Sequence, residues 1–234
     1  MFQNQKLLNE INKLPADWHG CGSMSNKILE TILFYSEQLE KVKYTAETGA
    51  GKTTLLFSNI ALKHTVFAID NYGSLSVTKN STLLKKDRVE FVEGPSQKTL
   101  PKYNFIYNFD IVLLDGPHGY PFPEIEYFYF YPLIREGGLL LIDDIGIPSI
   151  ARMFDILKAD DMWELLDEVE KLAVFKRTDS PLIDPYSDSW WLQGYNRSAY
   201  LKMERKVKIK HAIRPVIFSI SPHFFKKIIL RNIN

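Results

Sequence analysis

Cysteine is nearly absent from this sequence, which contains only Cys21. A single cysteine excludes an intramolecular disulfide framework and any zinc site built from several cysteines, and it fits a reducing compartment. No apolar run reaches the ~18 residues that a membrane-spanning helix needs, and the amino terminus lacks the apolar core of a signal peptide. We therefore expect a soluble, cytoplasmic protein.

Net charge is also small, since 29 lysines and arginines balance 28 aspartates and glutamates. The balance hides an asymmetry, because residues 197–234 contain ten basic residues and one acid, which leaves a net charge of −8 on residues 1–196. This basic segment would dock on the acidic body or form a homodimer, or it would lie on an anionic membrane as a peripheral contact. Nucleic acid is an unlikely partner, because no nucleic-acid-binding module accompanies the segment. Docking or dimerisation is favoured.

The 234 residues suffice for one large domain, or for one domain with an appendage. Between residues 25 and 178, helical periodicity alternates with short apolar runs. Helices are predicted over 26–39, 53–62, 76–86 and 123–135, the last one closed by Gly137 and Gly138. Strands are predicted over 42–48, 64–70, 89–92, 110–115 and 139–143, and two further runs, 165–170 and 172–177, would add antiparallel strands. This alternation predicts an α/β fold with a mainly parallel sheet between layers of helices.

Polar and glycine residues directly follow five of the predicted strands. They are residues 49–53, Asp70, residues 94–96, residues 115–118 and residues 143–144. Because the carboxyl ends of parallel strands share one edge of the sheet, and ligands bind there, these clusters are expected to form one site.

Residues 46–53, Ala-Glu-Thr-Gly-Ala-Gly-Lys-Thr, admit two main interpretations. If alanine replaces the first glycine, they match the phosphate-binding loop of a P-loop NTPase, in which Lys52 reaches the phosphates and Thr53 a magnesium ion. In a nucleoside-binding loop of the Glu-x-Gly-x-Gly kind, Lys52 is instead an exposed residue in the first turn of a helix. The next strand ends in Asp70, 19 residues after Gly51, which is close to the ~20-residue spacing of a ribose-binding acid. The nucleoside-binding interpretation is therefore favoured over the P-loop and over a purely structural glycine turn.

The order of four motifs resembles that of class I S-adenosylmethionine-dependent methyltransferases. The motifs are Glu-Thr-Gly-Ala-Gly at 47–51, Ala-Ile-Asp at 68–70, Leu-Leu-Asp-Gly-Pro-His-Gly-Tyr at 113–120 and Gly-Gly-Leu-Leu-Leu-Ile-Asp-Asp at 137–144. The resemblance implies a Rossmann-like three-layer sandwich whose seven-stranded sheet has its last strand antiparallel. It also implies a set of residues that bind S-adenosylmethionine: Glu47, Gly49 and Gly51 around the methionine part, Asp70 and Asn71 at the ribose, Ser96 near the adenine, and Thr53 and Asp115 as further cofactor-binding residues. Gly94-Pro95-Ser96 departs from the pattern, because many relatives carry an acid after this glycine.

Three carboxylates, Asp115, Asp143 and Asp144, each follow an apolar run at the predicted edge. Carboxylates gathered without an adjacent cation repel one another, which raises a pKa or favours binding of a metal ion such as Mg²⁺. The arrangement resembles metal-dependent small-molecule O-methyltransferases, in which acids at these two strand ends hold a divalent ion. In the alternative interpretation, Asp143 and Asp144 only cap the following turn.

His118 lies three residues after Asp115, in a loop rich in glycine and proline. Histidine titrates near neutral pH, so His118 is a candidate general base that would act beside Asp115 in catalysis. The alternative is a loop histidine without a catalytic role.

These inferences predict three parts of the chain. Residues 1–24 would form a lid over the cofactor, residues 25–178 the S-adenosylmethionine-binding methyltransferase domain, and residues 179–234 a basic C-terminal extension. The predicted function is transfer of a methyl group to a small-molecule acceptor, at a hydroxyl. The alternatives are a P-loop NTPase that uses residues 46–53 and a non-catalytic module that only binds the cofactor.

Overall fold

The computed structural model describes residues 2–20, 22 and 24–220. Cys21 and the end of the basic segment, residues 221–234, lie outside the described residues. The chain divides into two compact units, Met1–Tyr186 and Ser187–Asn234.

Seven strands of the first unit form one sheet in the order β3-β2-β1-β4-β5-β7-β6. The strands are β1 (Tyr44–Thr48), β2 (Lys63–Ala68), β3 (Val89–Glu93), β4 (Phe109–Leu114), β5 (Ile134–Ile142), β6 (Trp163–Val169) and β7 (Leu172–Arg177). Pairs among β1 to β5 are parallel, whereas β7 is antiparallel to both β5 and β6. The predicted seven-stranded sheet with an antiparallel last strand is confirmed.

Helices connect most of the strands. They are α1 (Phe2–Asn12), α2 (Asn26–Glu37), α3 (Lys52–Ile60), α4 (Ser74–Asn80), α5 (Ser96–Thr99), α6 (Phe122–Phe130), α7 (Pro148–Lys158) and, in the second unit, α8 (Gly194–Ile220). No helix among the described residues is long and apolar enough to cross a bilayer.

The central strand β4 shows how the sequence produces three layers. All six of its residues are buried, and successive side chains of a strand point to opposite faces of the sheet. Ile111 and Leu113 belong to an apolar cluster that includes residues of α1, α2 and α3. Val112 and Leu114 belong to a second cluster, on the other face, that includes residues of α6 and α7. A strand covered on both faces reads as a continuous apolar run, which is why β4 was visible in the sequence.

The expected end of the fourth predicted helix is wrong. Helix α6 ends at Phe130, and β5 begins at Ile134 and runs through Gly137 and Gly138. The strand register shifts at this point, because Phe109 pairs with Ile134 but Ile111 pairs with Leu139. Gly137 has a φ of +74°, and a Cβ on Gly138 would lie 2.9 Å from the carbonyl oxygen of Arg135. The two glycines therefore permit an irregularity inside a strand rather than stopping a helix.

The amino-terminal segment packs onto the first unit. Leu8 and Ile11 of α1 are buried in the same cluster as α2 and α3. In the second unit, Trp190 and Trp191 pack against Tyr200, and the described side chains of α8 are largely exposed.

Candidate active site

A cavity of about 480 Å³ opens at the carboxyl ends of β1 to β5. Nine of the residues predicted from the sequence line it: Gly49, Gly51, Thr53, Asn71, Ser96, Asp115, His118, Asp143 and Asp144. The lining therefore includes residues of four of the five strand-end clusters that were expected to converge. At the end of β2 it includes Asn71 but not the predicted Asp70, and Glu47 is not part of it either.

Gly49 brings the first strand-end loop against β4. Its φ is +88°, and a Cβ at this position would lie 2.5 Å from the carbonyl oxygen of Asp115. The Gly49 N–H donates to the carbonyl oxygen of Phe67 on β2, at 2.9 Å. Only glycine combines this backbone conformation with so close an approach. The loop is thus fixed between two strands while its open side forms the cavity wall.

Glu47 is fully buried beneath the loop. Its Oε1 accepts a hydrogen bond from the Thr54 hydroxyl and lies 3.1 Å from Nε2 of His64. The other ring nitrogen of His64 lies 2.8 Å from the Thr45 hydroxyl. Oε2 of Glu47 has no hydrogen-bond partner among the described residues. The carboxylate is therefore held rigidly by one oxygen, and the other can accept a hydrogen bond.

Lys52 differs from the expectation that it is exposed. Lys52 is only 5% exposed, and its Nζ donates to the carbonyl oxygen of Leu14 at 2.8 Å. Burial lowers the pKa of Lys52. Its ammonium group therefore fastens the amino-terminal segment to α3, a role that neither interpretation of the loop anticipated and one that competes with phosphate binding.

The amino-terminal segment reaches the cavity through His19, Gly22 and Met24. His19 covers Gly51 so closely that a Cβ on this glycine would lie 2.9 Å from the imidazole Nε2. Burial lowers the pKa of His19, and the charge of Lys52 lowers it further. The predicted lid thus has residues at the cavity, although most of it packs on the body of the domain.

Asp70 caps a helix in this structure. Its Oδ1 accepts from the Leu75 N–H at 3.0 Å, and its Oδ2 accepts from the Ser76 hydroxyl at 2.7 Å. The Ser76 hydrogen bond is the main cause that lowers the pKa of Asp70. The neighbouring Asn71 lines the cavity. A carboxylate at this strand end is thus present, but both of its oxygens hold the first turn of α4.

The acid cluster at the ends of β4 and β5 contains a cation that the sequence analysis did not foresee. Nζ of Lys171, from the turn between β6 and β7, lies 3.0 Å from Oδ2 of Asp143 and 3.0 Å from Oδ1 of Asp144. The premise of acids without an adjacent cation is therefore wrong. Burial lowers the pKa of Lys171, but its hydrogen bonds to Asp144 and Asp143 outweigh this effect, so its pKa is raised.

Burial strongly affects the two inner acids of the cluster. It raises the pKa of Asp115 well above the ordinary value, and the charges of Asp143 and Glu47 raise it further. Burial also raises the pKa of Asp143, although Lys171 opposes this shift. Asp143 Oδ1 has no hydrogen-bond partner among the described residues. The inner end of the cavity therefore favours a cation or a hydrogen-bond donor.

His118 lies at the outer end of the same cluster. Its Nε2 is 3.1 Å from Oδ2 of Asp144, and its side chain is 43% exposed. One ligand atom from each of Asp115, His118 and Asp144 lies within 4.8 Å of the others. This group differs from the predicted metal set, because His118 takes the place of Asp143. An imidazole beside a carboxylate at a cavity mouth can accept a proton or bind a metal ion.

Sequence reasoning missed Glu126, which lines the cavity from α6. This residue is 1% exposed, and its Oε2 accepts from the Thr48 hydroxyl at 2.8 Å. Burial raises the pKa of Glu126 to about 7, while the hydroxyls of Ser96 and Thr48 oppose the shift. A signal was available, because two acids, Glu124 and Glu126, lie within the aromatic run 122–131, and acids are unusual on a buried helix face.

The comparisons with known proteins agree with this geometry. Residues 46–145 match the family model described as a methyltransferase domain. No curated protein matches the chain significantly. Among solved structures, a candidate caffeoyl-CoA O-methyltransferase from Staphylococcus aureus superposes with a TM-score of 0.60 at 16% identity, covering 76% of this chain and 100% of that one.

Two further solved structures are similar in fold. The O-methyltransferase TomG from Streptomyces achromogenes, involved in tomaymycin synthesis and solved with S-adenosylmethionine, gives a TM-score of 0.58 at 14% identity, covering 74% of this chain and 90% of that one. An O-methyltransferase from Bacillus cereus, solved with S-adenosylhomocysteine, gives a TM-score of 0.53 at 14% identity, covering 76% of this chain and 91% of that one. The chain has the fold of class I methyltransferases, and its matched residues form a methyltransferase domain. The matched residues and the strand order agree with the class I S-adenosylmethionine-dependent methyltransferase that the ordered motifs predict.

Proposed function

We propose that this protein transfers the methyl group of S-adenosylmethionine to a hydroxyl of a small molecule. The observation that carries the proposal is the His118–Asp144 pair at the rim of the cavity, next to the loop of Gly49. The pair supplies a base for a hydroxyl, and the loop leaves room for a sulfonium amino acid.

The cofactor would lie along the strand ends. Its methionine part would contact Gly49, Gly51 and Thr53, with the open oxygen of Glu47 beneath them. Its ribose would lie at the end of β2, where Asn71 already lines the cavity. Asp70 would reach the ribose hydroxyls by exchanging its helix-capping hydrogen bonds for them. The adenine would lie near Ser96, at the end of β3.

The chemistry of His118 follows from its pairing. If Nε2–H donates to Asp144, Nδ1 is the nitrogen that can accept the proton of the acceptor hydroxyl. The oxygen then attacks the methyl carbon, the carbon–sulfur bond breaks, and the sulfur keeps the bonding electrons as a neutral thioether. Asp144 stabilises the imidazolium that forms. Orientation of the two reactants in the cavity supplies a further part of the rate.

The donor set also fits a divalent cation. We propose Asp115 and Asp144 as its ligands, and the compact group in the structure adds His118. Asp143 stays a predicted ligand, although Lys171 already pairs with it. A bound divalent cation would polarise the acceptor hydroxyl and lower its pKa. An imidazole nitrogen that binds the cation cannot accept a proton at the same time, so metal binding through Nε2 leaves only Nδ1 as the base.

The test combines binding with turnover. We expect S-adenosylhomocysteine to bind in calorimetric titration, with and without Mg²⁺, and ATP not to bind. We expect His118→Ala to abolish transfer of labelled methyl groups to a panel of phenols, catechols and sugar hydroxyls, while S-adenosylhomocysteine affinity persists. Unchanged turnover would remove His118 from the mechanism. Cofactor binding without transfer to any acceptor would favour the non-catalytic module.

We also propose that the basic segment supports a homodimer. Along α8, the apolar residues Leu201, Met203, Val207 and Ile209 are each close to half exposed, among lysines and arginines. Light scattering of the whole chain should give twice its 27.2 kDa mass. Flotation with anionic liposomes tests the membrane alternative, which predicts that binding is lost when residues 205–234 are removed.

A further inference from the structure

Only one of the two carboxyl oxygens of the buried Glu126 has a hydrogen-bond partner among the described residues. Thr48 donates to its Oε2, whereas Oε1 has no hydrogen-bond partner among the described residues. A buried acceptor without a donor costs about 1–3 kcal/mol. The group nevertheless lies in the wall of a cavity that is large enough for a nucleoside, so a ligand can supply the missing donor.

The backbone around Glu126 leaves space for this oxygen. A Cβ on Gly116 would lie 2.1 Å from Oε1, so glycine is the residue that tolerates the carboxyl here. The Thr48 hydroxyl that donates to Oε2 also accepts from the Asp115 N–H at 3.0 Å. Through Thr48, Glu126 is therefore connected to the ends of β1 and β4. The first strand-end loop, which contains Gly49, lies at these two strand ends.

The position of Glu126 indicates which part of a ligand it meets. Ser96, at the start of α5, is close enough for its hydroxyl to affect the pKa of Glu126, and Gly94, Ser96 and Glu126 all line the cavity. Helix α6, which carries Glu126, packs against α5, and α5 follows the end of β3, beyond the ribose position at the end of β2. In a ligand laid along the strand ends, the base therefore lies at Glu126. Adenine carries an exocyclic amine, which is a hydrogen-bond donor.

We propose that Glu126 selects adenine by accepting a hydrogen bond from its exocyclic amine through Oε1. This proposal rests on the proposed binding of S-adenosylmethionine. It also accounts for Gly94-Pro95-Ser96, which has no acid after the glycine, because α6 supplies one from another element. The amine would favour the ionised carboxyl and so oppose the effect of burial on Glu126.

The experiment compares two ligands that differ at this amine. S-adenosylhomocysteine carries it, and S-inosylhomocysteine carries a carbonyl oxygen in its place. A hydrogen bond to a charged group corresponds to roughly 10- to 100-fold in affinity. We therefore expect the unmodified protein to bind S-adenosylhomocysteine more tightly by about this factor in calorimetric titration.

The variant Glu126→Gln should reduce this preference towards unity, because its amide can both donate and accept. Glu164→Gln is the matched control, since it makes the same change at an exposed position of β6 and should keep the preference. If Glu126→Gln does not fold, Glu126→Asp, which withdraws the carboxyl by one carbon, replaces it and should also lose the preference.

Each outcome separates the two proposals. Equal affinity for both ligands in the unmodified protein overturns the role of Glu126 but leaves cofactor binding intact. A preference that Glu126→Gln retains means that another group recognises the amine, and this also overturns the role. Failure to bind either ligand contradicts the proposed function itself.

Discussion

Substitution of Gly49 by alanine tests the contact between the first strand-end loop and β4. The φ of +88° costs a residue with a Cβ about 1–2 kcal/mol. The new Cβ would also lie 2.5 Å from the carbonyl oxygen of Asp115, and overpacking of this kind costs about 1–3 kcal/mol. Together we expect Gly49→Ala to lower the free energy of unfolding by about 2–5 kcal/mol.

Two other glycines separate these contributions. Gly73 has a φ of +84° but nothing within 4 Å of its Cβ position, so Gly73→Ala should show only the backbone cost of about 1–2 kcal/mol. Gly146 has neither feature, so Gly146→Ala should change stability by less than about 0.5 kcal/mol.

Urea unfolding, followed by tryptophan fluorescence, measures all three variants. The midpoints should fall in the order Gly146→Ala, Gly73→Ala, Gly49→Ala. S-adenosylhomocysteine affinity should also fall in Gly49→Ala, because the loop must move away from β4. A Gly49→Ala midpoint equal to that of Gly73→Ala would refute the close approach of the loop to the Asp115 carbonyl.

Three further predictions concern charged groups of the cavity. Lys171→Met removes the cation that pairs with Asp143 and Asp144, so that Asp143 loses its ion pair and Asp144 keeps only His118. We therefore expect unfolding at pH 8 to become easier by about 1–3 kcal/mol and Mn²⁺ affinity in calorimetry to rise. If neither changes, the pairing is wrong. Because folding raises the pKa of Glu126 from 4.5 to about 7, the folded state retains a proton that the unfolded chain loses, and stability should fall as pH rises through this interval. Glu126→Gln should make this fall smaller in urea titrations at several pH values, and an unaltered profile would contradict the shift. Lys52→Met removes the hydrogen bond to the carbonyl of Leu14, so limited proteolysis of α1 should become faster. Neither the unmodified protein nor the variant should bind ATP. ATP binding that depends on Lys52 would restore the P-loop interpretation.

The sheet could be predicted from the sequence because its inner strands, such as β4, are buried on both faces and its edge strands β3 and β6 still contain apolar residues. The apolar run at β4 and the pair of runs at β6 and β7 have no other simple explanation. The aromatic run of α6 was harder, since the glycines that follow it are typical of a helix stop. Their true role depends on the pairing of β5 with β4, and this tertiary contact leaves no local signal. Helix α7 was not among the predicted helices, although Ile150, Met153, Phe154 and Leu157 lie at helical spacing in the sequence.

The site was predictable where backbone topology alone decides it. Gly49, Asp115 and Asp143 converge because they follow neighbouring strands of one sheet. Lys171 was not predictable, because its approach to the acids depends on how the β6–β7 hairpin pairs with β5. Asp70 shows the opposite case: the strand end was placed correctly, but a local helix cap takes its oxygens. Side-chain partners of this kind depend on distances that sequence spacing does not contain.

The reversal of β7 has a consequence for how this enzyme could diversify. Because β7 runs against its neighbours, the tight turn before it lies at the same rim as the long connections after β4 and β5. Lys171 thus delivers a positive charge to the acid cluster from a segment that is far from the glycine loop in the sequence. If this one turn were exchanged for a neutral or an acidic one, the acids would lose the lysine as their cation and could pair with a bound ion instead, while the sequence of the glycine loop would stay unchanged.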